Sequence, residues 1–105
     1  MFFFQFVTPG LADWFLSLGM QAASWSTAAC LVTLKDDTLF SNLKKITVPT
    51  LILHGIHDKV CLFPLAIAQK NGIKNATLIP FEYSGHGLFY EQKDKFNKEL
   101  TQFIG

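Results

Sequence analysis

Thr50-Leu51-Ile52-Leu53-His54 is a continuous apolar run that Gly55 stops and Ile56-His57-Asp58 turns away from. A run without polar alternation suits a strand covered on both faces, as in parallel sheets. Val48-Pro49 precedes it, and proline is tolerated at a strand start because no ladder hydrogen bond is lost there. Downstream, residues 62–70 read as a helix closed by Asn71-Gly72 as its C-cap. Ala76-Thr77-Leu78-Ile79-Pro80-Phe81 reads as a second strand, with Pro80 placing it toward an edge or near its own end. Over residues 91–104, Phe96, Leu100, Phe103 and Ile104 recur at helical spacing. The fold class is therefore α/β: a βαβα unit whose two strands the right-handed crossover makes parallel. Two parallel strands do not make a stable sheet, so one edge of the first strand is expected to pair with something else.

Ahead of this unit the pattern changes. Thr8-Pro9-Gly10 is a helix start, with Thr8 as cap and Pro9 at the first helical position. Leu11, Trp14, Phe15 and Leu18 share one helical face, and Gly19 is expected to weaken or bend that helix. A second helix is expected from Ser24 or Ser26 through Leu34, ending at Asp36-Asp37-Thr38. Both have apolar residues on more than one face, as in a lid packed on another domain. The expected division is a helical lid or cap over residues 1–42 and a core segment over residues 43–105.

Composition narrows the partners. The chain has 105 residues, nine Lys and Arg against eight Asp and Glu, and eleven Phe. It is 50% hydrophobic and only 16% charged, against about 25% charged in average proteins. With no basic stripe, no nucleic-acid partner is expected. No run reaches the roughly 18–20 apolar residues of a membrane span, so no membrane partner is expected either. The apolar start lacks a basic region and a cleavage site, which argues against a signal peptide. Cys30 and Cys61 lack metal or redox spacing and read as reduced thiols. A cytoplasmic location is the expectation. So small and apolar a chain is expected to pack against a missing segment or to self-associate.

The chemistry lies in two turns. Asp58 follows the first strand, and His86, in Ser84-Gly85-His86-Gly87, follows the second. In open parallel sheets, functional groups gather beyond the carboxyl ends of strands, and neighbouring strands lie about 4.8 Å apart. A carboxylate there can accept the imidazole Nδ1 proton and leave Nε2 free as a general base. Gly85 and Gly87 allow a tight loop to present the ring. His54 reads as a strand-end core residue and His57 as an exposed turn residue. No metal is expected from the histidine spacing. Trp14, Phe15, Met20 and Trp25 read as lid or interface packing, with pocket lining as the alternative.

Val48-Pro49-Thr50-Leu51-Ile52-Leu53-His54-Gly55-x-x-Asp58, followed by Ser84-Gly85-His86-Gly87, resembles the C-terminal half of the α/β-hydrolase fold. With Leu43-x-x-Ile46 ahead of it, and Ala12-x-Trp14, Met20-x-Ala22 and Ala28-x-Cys30 in the helical segment, it is similar to the branch of cofactor-free haloperoxidases, arylesterases and carboxylesterases. The resemblance is strong from residue 43 onward and looser over residues 8–42. It implies Asp58 as triad acid, His86 as triad base, a small-molecule ester or acid substrate in the complete enzyme, and no cofactor. Cys61 stands where the family commonly has proline.

The resemblance also marks what is missing. The first strands, the oxyanion-hole loop and the Gly-x-Ser-x-Gly elbow do not occur in these residues. Ser17, Ser24, Ser26, Ser41 and Ser84 all lack that frame, and Ser84 follows the acid in a fold whose order is nucleophile, acid, base. Ser84 reads as a turn hydrogen-bonding residue. The expectation is a C-terminal portion of a serine hydrolase, inactive alone. The alternative is a non-catalytic product of a truncated or split gene acting as an interaction or oligomerising module.

Overall fold

Thr50–Gly55 forms β1 and Ala76–Phe81 forms β2, paired parallel with Thr50 opposite Ala76 and Gly55 opposite Phe81. Both strands therefore end level, and the turns that follow leave from the same end of the sheet. In this computed structural model, which describes residues 2–33 and 38–105, these are the only strands among the described residues, so one edge of β1 pairs with no strand there. Pro80 sits inside β2 opposite His54. It costs no ladder bond because β2 has one neighbouring strand, so a prolyl nitrogen can face away from it.

Three helices precede the strands in sequence. Pro9–Met20 is α1, Ser24–Thr33 is α2 and Thr38–Ser41 is a single turn, α3. A 3₁₀ turn, Leu43–Lys45, leads into β1, and Phe63–Gly72 forms α4 between the strands. Leu88–Glu91 is a short α5, followed by Lys93–Ile104 as α6. The core of this part is small. Ile52, Ala66 and Ile73 are buried together, with Leu43, Ile46, Phe63, Ala76 and Leu78 packed around them. Phe81 is fully enclosed at the end of β2, where the Lys95 ammonium lies 4.7 Å from its ring and bonds the Pro80 carbonyl at 2.7 Å.

The chain divides into two compact units, Val7–Ser41 and a second made of Met1–Phe6 with Asn42–Gly105. Residues 1–6 group with the strands and not with the helices that follow them in sequence. They are drawn to the second unit because the backbone N–H groups of Phe4 and Gln5 both bond the Glu91 carboxylate.

Other details depart from the sequence reading. Gly19 does not interrupt α1, which continues to Met20, since a glycine in the last turn has little helix after it to disturb. The helix after β1 runs through Asn71-Gly72, and Ile73 is its C-cap. The last helical stretch is broken at Gln92, whose side chain instead serves the turn at Tyr83 and Ser84. The expected end of α2 at Leu34 and Asp36-Asp37 lies outside the described residues.

The Thr8 hydroxyl accepts the Leu11 N–H at 3.2 Å, capping α1. Neither α1 nor its apolar face is buried: Trp14, Leu16 and Met20 are exposed, as are Trp25, Leu31 and Val32 on α2. No single helix among the described residues is long and apolar enough to cross a membrane. The pair α1 and α2 has the length and composition, but is bent by 90°.

Candidate active site

The turn after β1 is built around the Asp58 carboxylate. Oδ1 accepts the backbone N–H groups of Val60 and Cys61, each at 2.8 Å, and the Asp58 N–H donates to the Gly55 carbonyl at 3.2 Å. Such side-chain-to-backbone bonding is what makes aspartate a turn former. It also leaves Oδ2 pointing elsewhere. Oδ2 lies 2.8 Å from His86 Nδ1, while Asp58 itself is only 4% exposed. The structure thus brings together the two residues that the sequence set on successive strand ends.

The pairing fixes proton positions. A carboxylate only accepts, so His86 Nδ1 carries the hydrogen and donates it. In the neutral ring Nε2 then has a free lone pair, and no hydrogen bond reaches it among the described residues. The His86 side chain is 36% exposed, so Nε2 chemistry is open to a second group. Burial alone pushes the Asp58 carboxyl upward, but the bonds from Cys61, His86 and Val60 and the His86 charge outweigh it, and its pKa is lowered.

His54 adds a contact that the sequence did not announce. Its Nε2 is 2.7 Å from the Cys61 carbonyl and 3.4 Å from Asp58 Oδ2. A carbonyl cannot donate, so His54 Nε2 carries the proton and holds the far side of the acid turn. Read only as a strand-end core residue, His54 also ties that turn to β1. The signal was its position in His54-Gly55-x-x-Asp58, which puts it within reach of the turn it precedes.

The two turns touch each other directly. The Ile56 N–H donates to the Phe81 carbonyl at 3.0 Å and the His57 N–H to the Ser84 carbonyl at 3.0 Å. Ser84 is fully buried, and its hydroxyl donates to Gln92 Oε1 at 2.7 Å, a turn-stabilising bond of the kind the sequence assigned to it. His57 is exposed, and the Phe4 ring stacks on it with centroids 3.7 Å apart. Cys30 and Cys61 are both free thiols. Among the described residues, no three His, Cys, Asp or Glu side chains gather so as to hold a metal ion.

A buried acid follows one parallel strand and an imidazole follows the next, and comparison with known proteins gives the class. The chain has the sequence and fold of the C-terminal part of an α/β-hydrolase superfamily protein. It is 46% identical over 102 residues to the AB hydrolase superfamily protein YisY of Bacillus subtilis, covering 97% of this chain and 38% of that protein. It is 31% identical to a non-heme chloroperoxidase of Streptomyces lividans, covering 93% of this chain and 36% of the relative. An esterase structure from Exiguobacterium antarcticum superposes with a TM-score of 0.93 at 38% identity, over 98% of this chain and 38% of the esterase. The chain therefore spans well under half the length of the relatives it matches. No family model matches the chain.

Proposed function

We propose that this chain supplies the acid and the base of a serine-hydrolase active site whose nucleophile lies outside these residues. The observation that carries the reading is the buried Asp58 carboxylate 2.8 Å from His86 Nδ1, with no hydrogen bond to Nε2 among the described residues. In the complete site, a serine hydroxyl attacks an ester carbonyl while Nε2 takes its proton. Asp58 stabilises the imidazolium that results. The acyl-enzyme then forms, and water activated by the same ring releases a carboxylic acid. Hydrogen peroxide in place of that water gives a peracid, a variant that the likeness to a non-heme chloroperoxidase supports. Neither sequence needs a cofactor.

The test is a chimera in which this chain replaces the matched 38% of the Exiguobacterium antarcticum esterase. We expect turnover of p-nitrophenyl acetate by the chimera and none by the 105-residue chain alone. His86→Ala in the chimera lowers kcat by roughly a thousandfold or more. A folded chimera whose turnover is indifferent to His86→Ala defeats the reading, as does turnover by the isolated chain that His86→Ala abolishes.

A second reading has its own observation. A β1 edge that meets no strand among the described residues and the exposed Trp14, Met20, Trp25 and Val32 are the features of an interaction module. On that reading the chain self-associates and its acid–base pair is a relic. Light scattering that shows a monodisperse monomer at high concentration counts against it.

A further inference from the structure

We propose that Glu91 is a positioning residue for His86, acting by tying the backbone of the base turn to residues 2–5. The functional meaning rests on the acid–base reading above, but the tie stands on its own contacts. Glu91 Oε1 accepts the Gly85 N–H at 2.9 Å and the Phe4 N–H at 3.0 Å, and Oε2 accepts the Gln5 N–H. One carboxylate thus collects three backbone donors from two segments far apart in the sequence. Bonds from neutral donors to an ionised acceptor are roughly twice as strong as neutral ones.

Both neighbours of His86 are held through their backbone N–H groups. Gly85 is held by Glu91, and the Gly87 N–H donates to the Phe2 carbonyl at 3.0 Å. The Gln5 amide adds a bond to the Tyr83 carbonyl at 2.9 Å. Residues 2–5 lie so near the turn that a methyl group on Gly85 would sit 3.0 Å from the Phe2 carbonyl oxygen. One on Gly87 would sit 2.3 Å from the Phe3 ring. The Phe2 ring meets the His86 ring edge-on, centroids 5.0 Å apart.

The physical role follows from what Asp58 leaves undone. A bond to Nδ1 fixes how the ring turns but not where its Cα stands. A general base works only when Nε2 reaches its proton to within a few tenths of an ångström, and an error of about 1 Å costs a hundredfold. Glu91 sets the Cα position by fixing Gly85. Gln92 does the same one step back, accepting the Tyr83 N–H at 2.9 Å and the Ser84 hydroxyl.

The experiment compares the full chain with Glu91→Gln and Glu91→Ala by amide hydrogen exchange and by the low-field proton signal of His86 Nδ1. In both variants we expect the Phe4, Gln5 and Gly85 amides to exchange roughly tenfold faster or more. The Nδ1 signal broadens, and the amides of β1 and β2 keep their native rates. Glu82→Gln is the control. That carboxylate is exposed and pairs with Lys95 at 2.9 Å, away from Gly85, so its loss leaves Gly85 unchanged.

An unchanged Gly85 rate in Glu91→Ala overturns the proposal. So does an equal acceleration throughout β1 and β2, which marks general destabilisation. In the chimera, Glu91→Gln lowers kcat by roughly tenfold with KM unchanged; an active chimera whose kcat is unaffected also overturns it. A chimera inactive with Glu91 intact counts against the hydrolase reading, while the exchange rates still decide the tie.

Discussion

Gly55 and Gly85 meet backbone to backbone. A methyl group on Gly55 would lie 2.1 Å from the Gly85 carbonyl oxygen and 2.4 Å from that of Ser84. Neither oxygen can rotate aside, because both belong to the turn that carries His86. Gly55→Ala is therefore expected to push the two turns apart. The expected cost is about 2 kcal/mol or more, as for other overpacked sites, measured by urea unfolding. The low-field His86 Nδ1 signal weakens with it. Gly19→Ala is the contrast: that glycine lies inside α1 with nothing within 4 Å of its would-be methyl group. It gains about 0.5–1 kcal/mol from reduced chain entropy.

Asp58 makes stability depend on pH in a defined direction. Burial alone would raise its folded-state pKa, but the Cys61, His86 and Val60 bonds outweigh it and hold the carboxyl below the usual aspartate range. The folded state therefore binds the Asp58 proton less tightly than the unfolded state does. The resulting stabilisation is complete above the unfolded pKa and is lost as pH falls through the folded one. Unfolding free energy should be unaffected by this group above about pH 5 and decline below about pH 4. In Asp58→Asn that part of the decline disappears. Equal acid slopes in the two proteins would contradict this assignment.

His54 should matter more for the acid turn than its place at a strand end implies. His54→Leu fills the space but leaves the Cys61 carbonyl without its donor. That carbonyl is exposed, so water replaces part of the lost bond and the expected cost is about 0.5–1 kcal/mol. Urea unfolding measures the loss, and faster exchange of the Val60 and Cys61 amides locates it in the turn.

Thr8→Ala removes the hydroxyl that accepts the Leu11 N–H. The expected loss is about 1 kcal/mol, while Thr8→Ser leaves the cap almost intact. Exchange of the Leu11 amide separates the two variants. Because Thr8 belongs to the Val7–Ser41 unit, the Asp58–His86 signal should be the same in both.

Local chemistry made much of this legible in the sequence. The strands, their parallel order and the cap at Thr8 follow from apolar runs, glycine stops and a hydroxyl before proline, all short-range signals. Asp58 and His86 could be set on adjacent strand ends because a βαβ unit makes sequence order predict spatial order. The part played by Glu91 was not legible. Its partners Phe4 and Gln5 are 87 and 86 residues away, and no spacing rule spans that distance. The same holds for the grouping of residues 1–6 with the strands, which rests on these distant bonds. The break at Gln92 was hidden for another reason. The periodic apolar positions of α6 begin at Phe96 and are silent about where the helix starts.

The bonds between residues 2–5 and the base turn have a topological consequence. The unit Val7–Ser41 leaves the second unit after Phe6 and returns to it at Asn42, so it is an insertion anchored at both ends. The chain before it is held by Glu91, and the chain after it enters the 3₁₀ turn at Leu43–Lys45. The fold thus separates a segment free to be exchanged from the one that keeps an acid and a base 2.8 Å apart. A swap of residues 7–41 between relatives is the modular operation to which this architecture lends itself.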